Sequence, residues 1–115
     1  MENLTEAFVE LIRRASTDLP ADVEAALRAA RDREEPGSAA ASTLTAILEN
    51  VALARARSQP ICQDTGTPIF HVRYPAGMSP GRLRAQAEAA VAEATRRAYL
   101  RPNAVDSLTG RNSGN

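Results

Sequence analysis

Pro60-Ile61-Cys62-Gln63-Asp64-Thr65-Gly66-Thr67-Pro68-Ile69-Phe70-His71-Val72-Arg73-Tyr74 interrupts a chain that is otherwise patterned for helices. Its first half places a thiol, an amide, a carboxylate and a hydroxyl in four consecutive positions, then a glycine that lets the backbone turn. Pro60 removes a donor and stops the helix before it. Its second half, Ile69 to Tyr74, is short, β-branched and aromatic with proline on both sides, which reads as a strand. Ile69, His71 and Arg73 share one expected face, and Phe70, Val72 and Tyr74 the other. Pro68 fits the start of that strand or a sheet edge.

Upstream the pattern is helical. Asn3 and Glu6 have capping-box spacing, and Phe8, Leu11, Ile12 and Ala15 lie on one face of a helix over about 3–15. A second helix starts near Pro20, carries Asp22 and Glu24 in its first turn, and buries Val23, Ala26, Leu27 and Ala30. Pro36-Gly37-Ser38 supplies a turn and a new cap. A third helix over about 40–57 keeps Leu44, Ile47, Leu48 and Val51 in register and delivers the chain to Pro60.

Downstream, Ser79 and Pro80 open a long helix to about Tyr99. Its face of Leu83, Ala87, Ala90, Val91, Ala94 and Ala98 is narrow and small enough for close approach by another helix. Residues 101–115 are polar and turn-rich. The expected class is mostly α with a minor β element (α+β). A lone strand needs a partner, so residues 1–115 read as the N-terminal part of a larger domain, or one subunit of it.

The totals bound the function. At 115 residues the chain has room for one small domain with a modest core. Aromatics are 3%, so packing leans on Leu, Ile, Val and Ala. Fourteen basic and 14 acidic residues cancel, which argues against a nucleic-acid binder. All the basic residues are Arg, a side chain suited to carboxylates. One cysteine forms no internal disulfide, the acidic N-terminus has no signal-peptide core, and no apolar run reaches about 20 residues. A soluble cytoplasmic protein without a membrane span is expected.

Cys62 alone leaves several chemistries open. A free cysteine is commonly a small buried hydrophobe, but a polar loop favours exposure, as for a nucleophile or a metal ligand. A nucleophile needs a base, and His71, the one histidine, carries no surrounding signature. One Cys and one His fall short of a structural zinc site.

The string Pro60–Thr67 closely resembles the cluster-binding motif of the iron–sulfur hydro-lyases, namely the class I fumarases and the α subunit of L(+)-tartrate dehydratase. Leu100-Arg101-Pro102-Asn103-Ala104-Val105-Asp106 is similar to the start of that family's next motif block. Leu108-Thr109-Gly110 and Asn112-Ser113-Gly114-Asn115 are similar to its continuation, and Ile47–Ala54 to the helix feeding the cysteine. The resemblance implies a [4Fe–4S] cluster held by three cysteines with one iron open to substrate. It implies Cys62 as one ligand, with the remaining ligands outside this chain. It further implies Gln63 and Asp64 in substrate contact, Asp64 in proton transfer to the departing hydroxyl, and Arg101 as a clamp on a substrate carboxylate. Thr65 is also suited to bonding the backbone in its turn, and Asn112 and Asn115 read as turn formers.

The implied reaction is reversible hydration of fumarate to L-malate or dehydration of tartrate to oxaloacetate. The implied partners are such a diacid and the rest of the catalytic domain or a β-type subunit, in a homodimer or heterotetramer. With one cysteine, the 115-residue chain is expected to be inactive alone. A noncatalytic helical module, docking through the small-residue face of Leu83 to Ala98, is the alternative.

Overall fold

The structure, a computed structural model, describes residues 2–115. Four helices come first: α1 (Thr5–Thr17), α2 (Ala21–Arg33), α3 (Ala39–Arg57) and α4 (Pro80–Arg96). A small antiparallel hairpin, β1 (Ala104–Val105) and β2 (Asn112–Gly114), ends the chain.

The caps follow local chemistry. Ser38 accepts from the Ala41 N–H at the start of α3, and Ser79 accepts from Arg82 N–H at the start of α4, with Pro80 leading the helix. At α1 the expected capping box does not close. Asn3 Oδ1 accepts from the Thr5 N–H at 3.0 Å, but Glu6 turns away to pair with Arg97 on the far side of the α1–α4 contact. The helix is entered from Leu4, one residue past Asn3, so the box is out of register and Glu6 takes a tertiary charge partner instead. The α4 helix also stops earlier than periodicity suggests, at Arg96. Ala98 takes a left-handed φ of 62°, and Tyr99 N–H bonds back to the Ala94 carbonyl. This is a left-handed helix end built without glycine.

The helices pair as α1 on α4 and α2 on α3, with a lesser contact between α1 and α3. One apolar cluster joins Val9 and Ile12 of α1 to Ala90 and Ala94 of α4 and to Leu100 beyond it. Ala90 and Ala94 have no exposed surface, which is what two helices in close approach require of the residues between them. The centre of the small-residue face of α4, Ala90 and Ala94, is thus covered by α1, which leaves less of that face for the docking that the interaction-module alternative expects, while Ala98 past the helix end is exposed. Leu48, Val51 and Ala54 of α3 are buried as well.

Two expectations about burial change. The stripe of α2 is only half covered: no residue of α2 is buried, and Val23 is 42% exposed. With α3 as its one packed neighbour, α2 leaves the outer edge of the stripe in water. On α1, Leu11 is 57% exposed while Val9, outside the expected stripe, is 2% exposed. The helix is rotated so that Val9 and Ile12 meet α4.

The expected strand over 69–74 is not formed. The segment is extended, but among the described residues the only sheet is the hairpin β1–β2. Strand propensity specifies a half-buried surface, not a partner, and no neighbouring edge offers one here. Phe70 nevertheless behaves as its pattern suggests. It packs edge-on against Phe8 of α1, ring centres 5.5 Å apart at 80°. Ile69, on the opposite side, is 76% exposed. The minor β element of the class is real but lies at 104–114, in the stretch read as turns.

Candidate functional site

The cysteine loop leaves α3 through Ser58, whose left-handed φ of 48° caps the helix. Two bonds then hold it. Ile61 N–H donates to the Ser16 carbonyl at the end of α1 (3.0 Å), and the Asn50 amide donates to the Ile61 carbonyl (2.8 Å). With both its backbone groups engaged, Ile61 fixes where the next residue begins. Cys62 is exposed, with a free thiol.

Gln63 and Asp64 are exposed too. Asp64 Oδ1 accepts from the Gly66 N–H at 2.9 Å, a turn closed by a side chain. Gly66 has φ 66°, where a side chain would be strained although nothing crowds the position. The loop shape therefore depends on Asp64 and Gly66 together, and it leaves the second carboxylate oxygen of Asp64 outside that bond.

Thr65 joins this loop to the second block. Its Oγ1 accepts from Arg101 N–H at 3.2 Å and from the Asn103 side-chain amide at 3.0 Å. The second block is bound in turn to the last residues. The Asn115 amide donates to the Arg101 carbonyl (2.8 Å) and to Thr95 Oγ1 (3.0 Å), and its oxygen accepts from Asn103 N–H (3.1 Å). Asn112 donates to the Pro102 carbonyl at 2.7 Å. Leu100, 4% exposed, anchors the block in the α1–α4 core. The string 60–67 thus meets 100–106, more than 30 residues on, and the hairpin folds 112–115 back onto the same place.

The hairpin turn that returns Asn112 and Asn115 is built by Asp106. Its Oδ1 accepts from the Leu108 and Thr109 N–H groups and the Thr109 hydroxyl. These bonds, with Thr109 contributing most, hold the Asp106 carboxyl below its ordinary range.

A groove of about 600 Å³ runs beside the loop. Cys62, Asp64, Thr65, His71 and Arg73 contribute its polar wall, and Phe8, Leu11, Ile12, Phe70 and Leu100 its apolar floor. Gln63 and Arg101 do not line it. Among the described residues no group of three or more His, Cys, Asp or Glu side chains is placed to hold a metal ion. Cys62 is a single thiol donor.

Of the residues expected to form the site, Cys62 and Asp64 share the groove, and Arg101 is tied to their loop through its backbone. Sequence reasoning assigned Thr65, Asn112 and Asn115 a turn-forming role and missed their tertiary one. Asp106 and Thr109-Gly110 are turn-type residues, but no alternating apolar pattern flanks them to announce a hairpin that returns 112–115 onto 101–103. Among the described residues no helix is long and apolar enough to cross a membrane.

Residues 5–115 match the family described as fumarate hydratase (fumerase). The chain is 46% identical over 114 residues to a protein of Geobacillus stearothermophilus provisionally named fumarate hydratase class I, covering 99% of this chain and 22% of that protein. It is 35% identical over 112 residues to a Methanocaldococcus jannaschii protein provisionally named L(+)-tartrate dehydratase subunit alpha, covering 95% of this chain and 39% of that one. Identity to the L(+)-tartrate dehydratase subunit alpha of Escherichia coli K12 is 33% over 119 residues, with 99% and 39% covered. The chain thus spans from about a fifth to two-fifths of the length of these relatives.

Proposed function

Since the chain belongs to the fumarate hydratase family, we propose that residues 1–115 form the N-terminal part of the catalytic domain of an iron–sulfur hydro-lyase. Its reaction is the reversible addition of water to fumarate to give L-malate, or the loss of water from tartrate to give oxaloacetate. The observation that carries this reading is the groove itself. An exposed thiol and a carboxylate share its wall, and the loop bearing them is bonded to the block headed by Arg101.

The donor set agrees with one corner of a cluster. A thiolate is the ligand an iron–sulfur cluster takes. Cys62 is exposed rather than packed as a hydrophobe, and its loop is held at Ile61 by α1 and α3. One thiol cannot hold a cluster, so the remaining ligands come from outside this chain. When bound, an iron with a free position supplies Lewis-acid activation of a hydroxyl and carboxylate.

The chain's own residues supply the rest of their share. The Arg101 guanidinium is exposed and makes no ion pair among the described residues, leaving its fork for a substrate carboxylate. Gln63 has both a donor and an acceptor for the substrate's polar groups. Asp64 keeps its turn with one oxygen, while the other can give a proton to the departing hydroxyl or take one from water in the reverse direction. The base for the adjacent C–H comes from outside these residues.

The partners that follow are a four-carbon diacid and either further domain sequence or a β-type subunit, assembled as a homodimer or heterotetramer. A reducing compartment, the cytoplasm, suits an exposed thiolate ligand. The experiment is a turnover assay of the protein carrying this chain, purified anaerobically with any partner subunit and offered fumarate, L-malate and tartrate. Reversible hydration or dehydration of one of them is expected. Absence of turnover on all three, with a cluster spectroscopically present, contradicts the reading.

A further inference from the structure

Arg101 is held by its backbone on both sides. Its N–H donates to Thr65 Oγ1 at 3.2 Å, and its carbonyl accepts from the Asn115 amide at 2.8 Å. The residue before it, Leu100, is buried in the core, while its own side chain is exposed. Thr65 Oγ1 takes a second bond, from the Asn103 amide. One hydroxyl oxygen therefore carries both donors by which the second block grips the loop, across 36 and 38 residues of sequence. Thr65 stands next to Asp64, whose side chain is locked to Gly66. A shift of Thr65 Oγ1 therefore moves Arg101 relative to Asp64.

We propose that Thr65 is a positioning residue for substrate recognition, setting the Arg101 guanidinium at a fixed reach from the Gln63–Asp64 pair through its bonds to Arg101 N–H and the Asn103 amide. The inference rests on the hydro-lyase reading and adds to it the residue that sets the spacing between the carboxylate clamp and the proton-bearing carboxylate. Threonine suits this role because its β-branch restricts χ1 and so aims the oxygen, where an unbranched side chain is freer. Valine matches its shape and removes the acceptor, leaving Arg101 N–H and the Asn103 amide to find water.

The test is steady-state kinetics on the holoenzyme carrying Thr65→Val, Thr65→Ser and Asn103→Ala, with cluster absorbance and helicity recorded for each. Thr65→Val is expected to raise KM for the diacid roughly tenfold, the size of effect of losing such bonds, with a smaller change in kcat. Thr65→Ser, which restores the acceptor, is expected to stay within a factor of about three of the parent KM. In an Arg101→Lys background, Thr65→Val is expected to add little, because the two changes damage one interaction. If Thr65→Val fails to load cluster or to fold, Asn103→Ala carries the test with a smaller expected KM rise. An unchanged KM in Thr65→Val, or the same fold loss with Arg and with Lys at 101, overturns this inference and leaves the hydro-lyase reading standing. A cluster-loaded parent that turns over no diacid overturns both.

Discussion

Asp64 closes a turn and, on the proposed hydro-lyase reading, also moves a proton, and a single substitution separates the two. One oxygen closes the turn onto Gly66 N–H, and the other lies outside that bond, where the proposed proton transfer would use it. Asparagine keeps a carbonyl oxygen for the turn and loses the titrating group. Asp64→Asn should therefore leave cluster content unchanged and lower kcat by roughly 10²–10⁴, the usual contribution of a positioned proton donor, with a lesser effect on KM. A kcat near that of the parent would assign Asp64 to the turn alone. Single residues were informative about chemistry and poor about partners. Cys62, Asp64 and Gly66 announce a polar turn from their types alone. Thr65 does not announce Arg101 and Asn103, because a hydroxyl can satisfy itself locally or across 38 residues and the string of letters is the same.

Elements whose logic is local were legible. Ser38 and Ser79 cap the helices they were expected to cap, and Pro80 leads α4. Elements whose logic is tertiary were not. The 69–74 segment has strand composition but finds no edge, and the hairpin at 104–114 forms in polar sequence because Asp106 builds its turn and Asn112 and Asn115 bind the preceding block. The small-residue face of α4 was read correctly as a close-packing surface, and α1 is the helix that uses it. Ala90, with no exposed surface, sits where the two helices meet. Ala90→Leu forces the pair apart and should destabilise the chain by roughly 1–3 kcal/mol, measured by urea unfolding. An unchanged midpoint would mean that α1 and α4 are not packed through this residue.

The molecule as a whole is spread out. Its radius of gyration is 17.8 Å and its extents are 56 × 39 × 22 Å. A compact chain of this length has a radius of ~13 Å. The α1–α4 and α2–α3 pairs are braced by ion pairs as well as by apolar contact. Glu6 of α1 and Glu93 of α4 meet Arg97, and Glu24 of α2 meets Arg55 of α3 at 2.8 Å. The guanidinium contacts hold the Glu93 and Glu24 carboxyls below their ordinary range. Arg97 is the main cause for Glu93, and Arg55, then Arg28, for Glu24. Within α1, Arg13 and then Arg14 lower Glu10 from 4.5 to about 2. Folded values below unfolded ones mean that the unfolded chain binds more protons in the interval, so stability is present above the unfolded pKa and drains away as pH falls. Helicity of the chain should accordingly be level above about pH 5 and decline between there and about pH 2. Glu24→Gln should flatten part of that decline. Loss of helicity that sets in on the alkaline side of about pH 5 would point to a different set of groups.

The family match runs over residues 5–115, and the chemistry proposed for the site hangs on its one thiol. Cys62→Ser in the protein carrying this chain, reconstituted anaerobically with iron and sulfide beside the parent, probes that thiol. Visible absorbance from thiolate-bound iron and diacid turnover are measured on the same samples. The parent is expected to show both, and the serine variant to lose turnover along with the intact cluster spectrum. A serine variant that keeps the parent's spectrum and rate would strike Cys62 from the cluster's ligands.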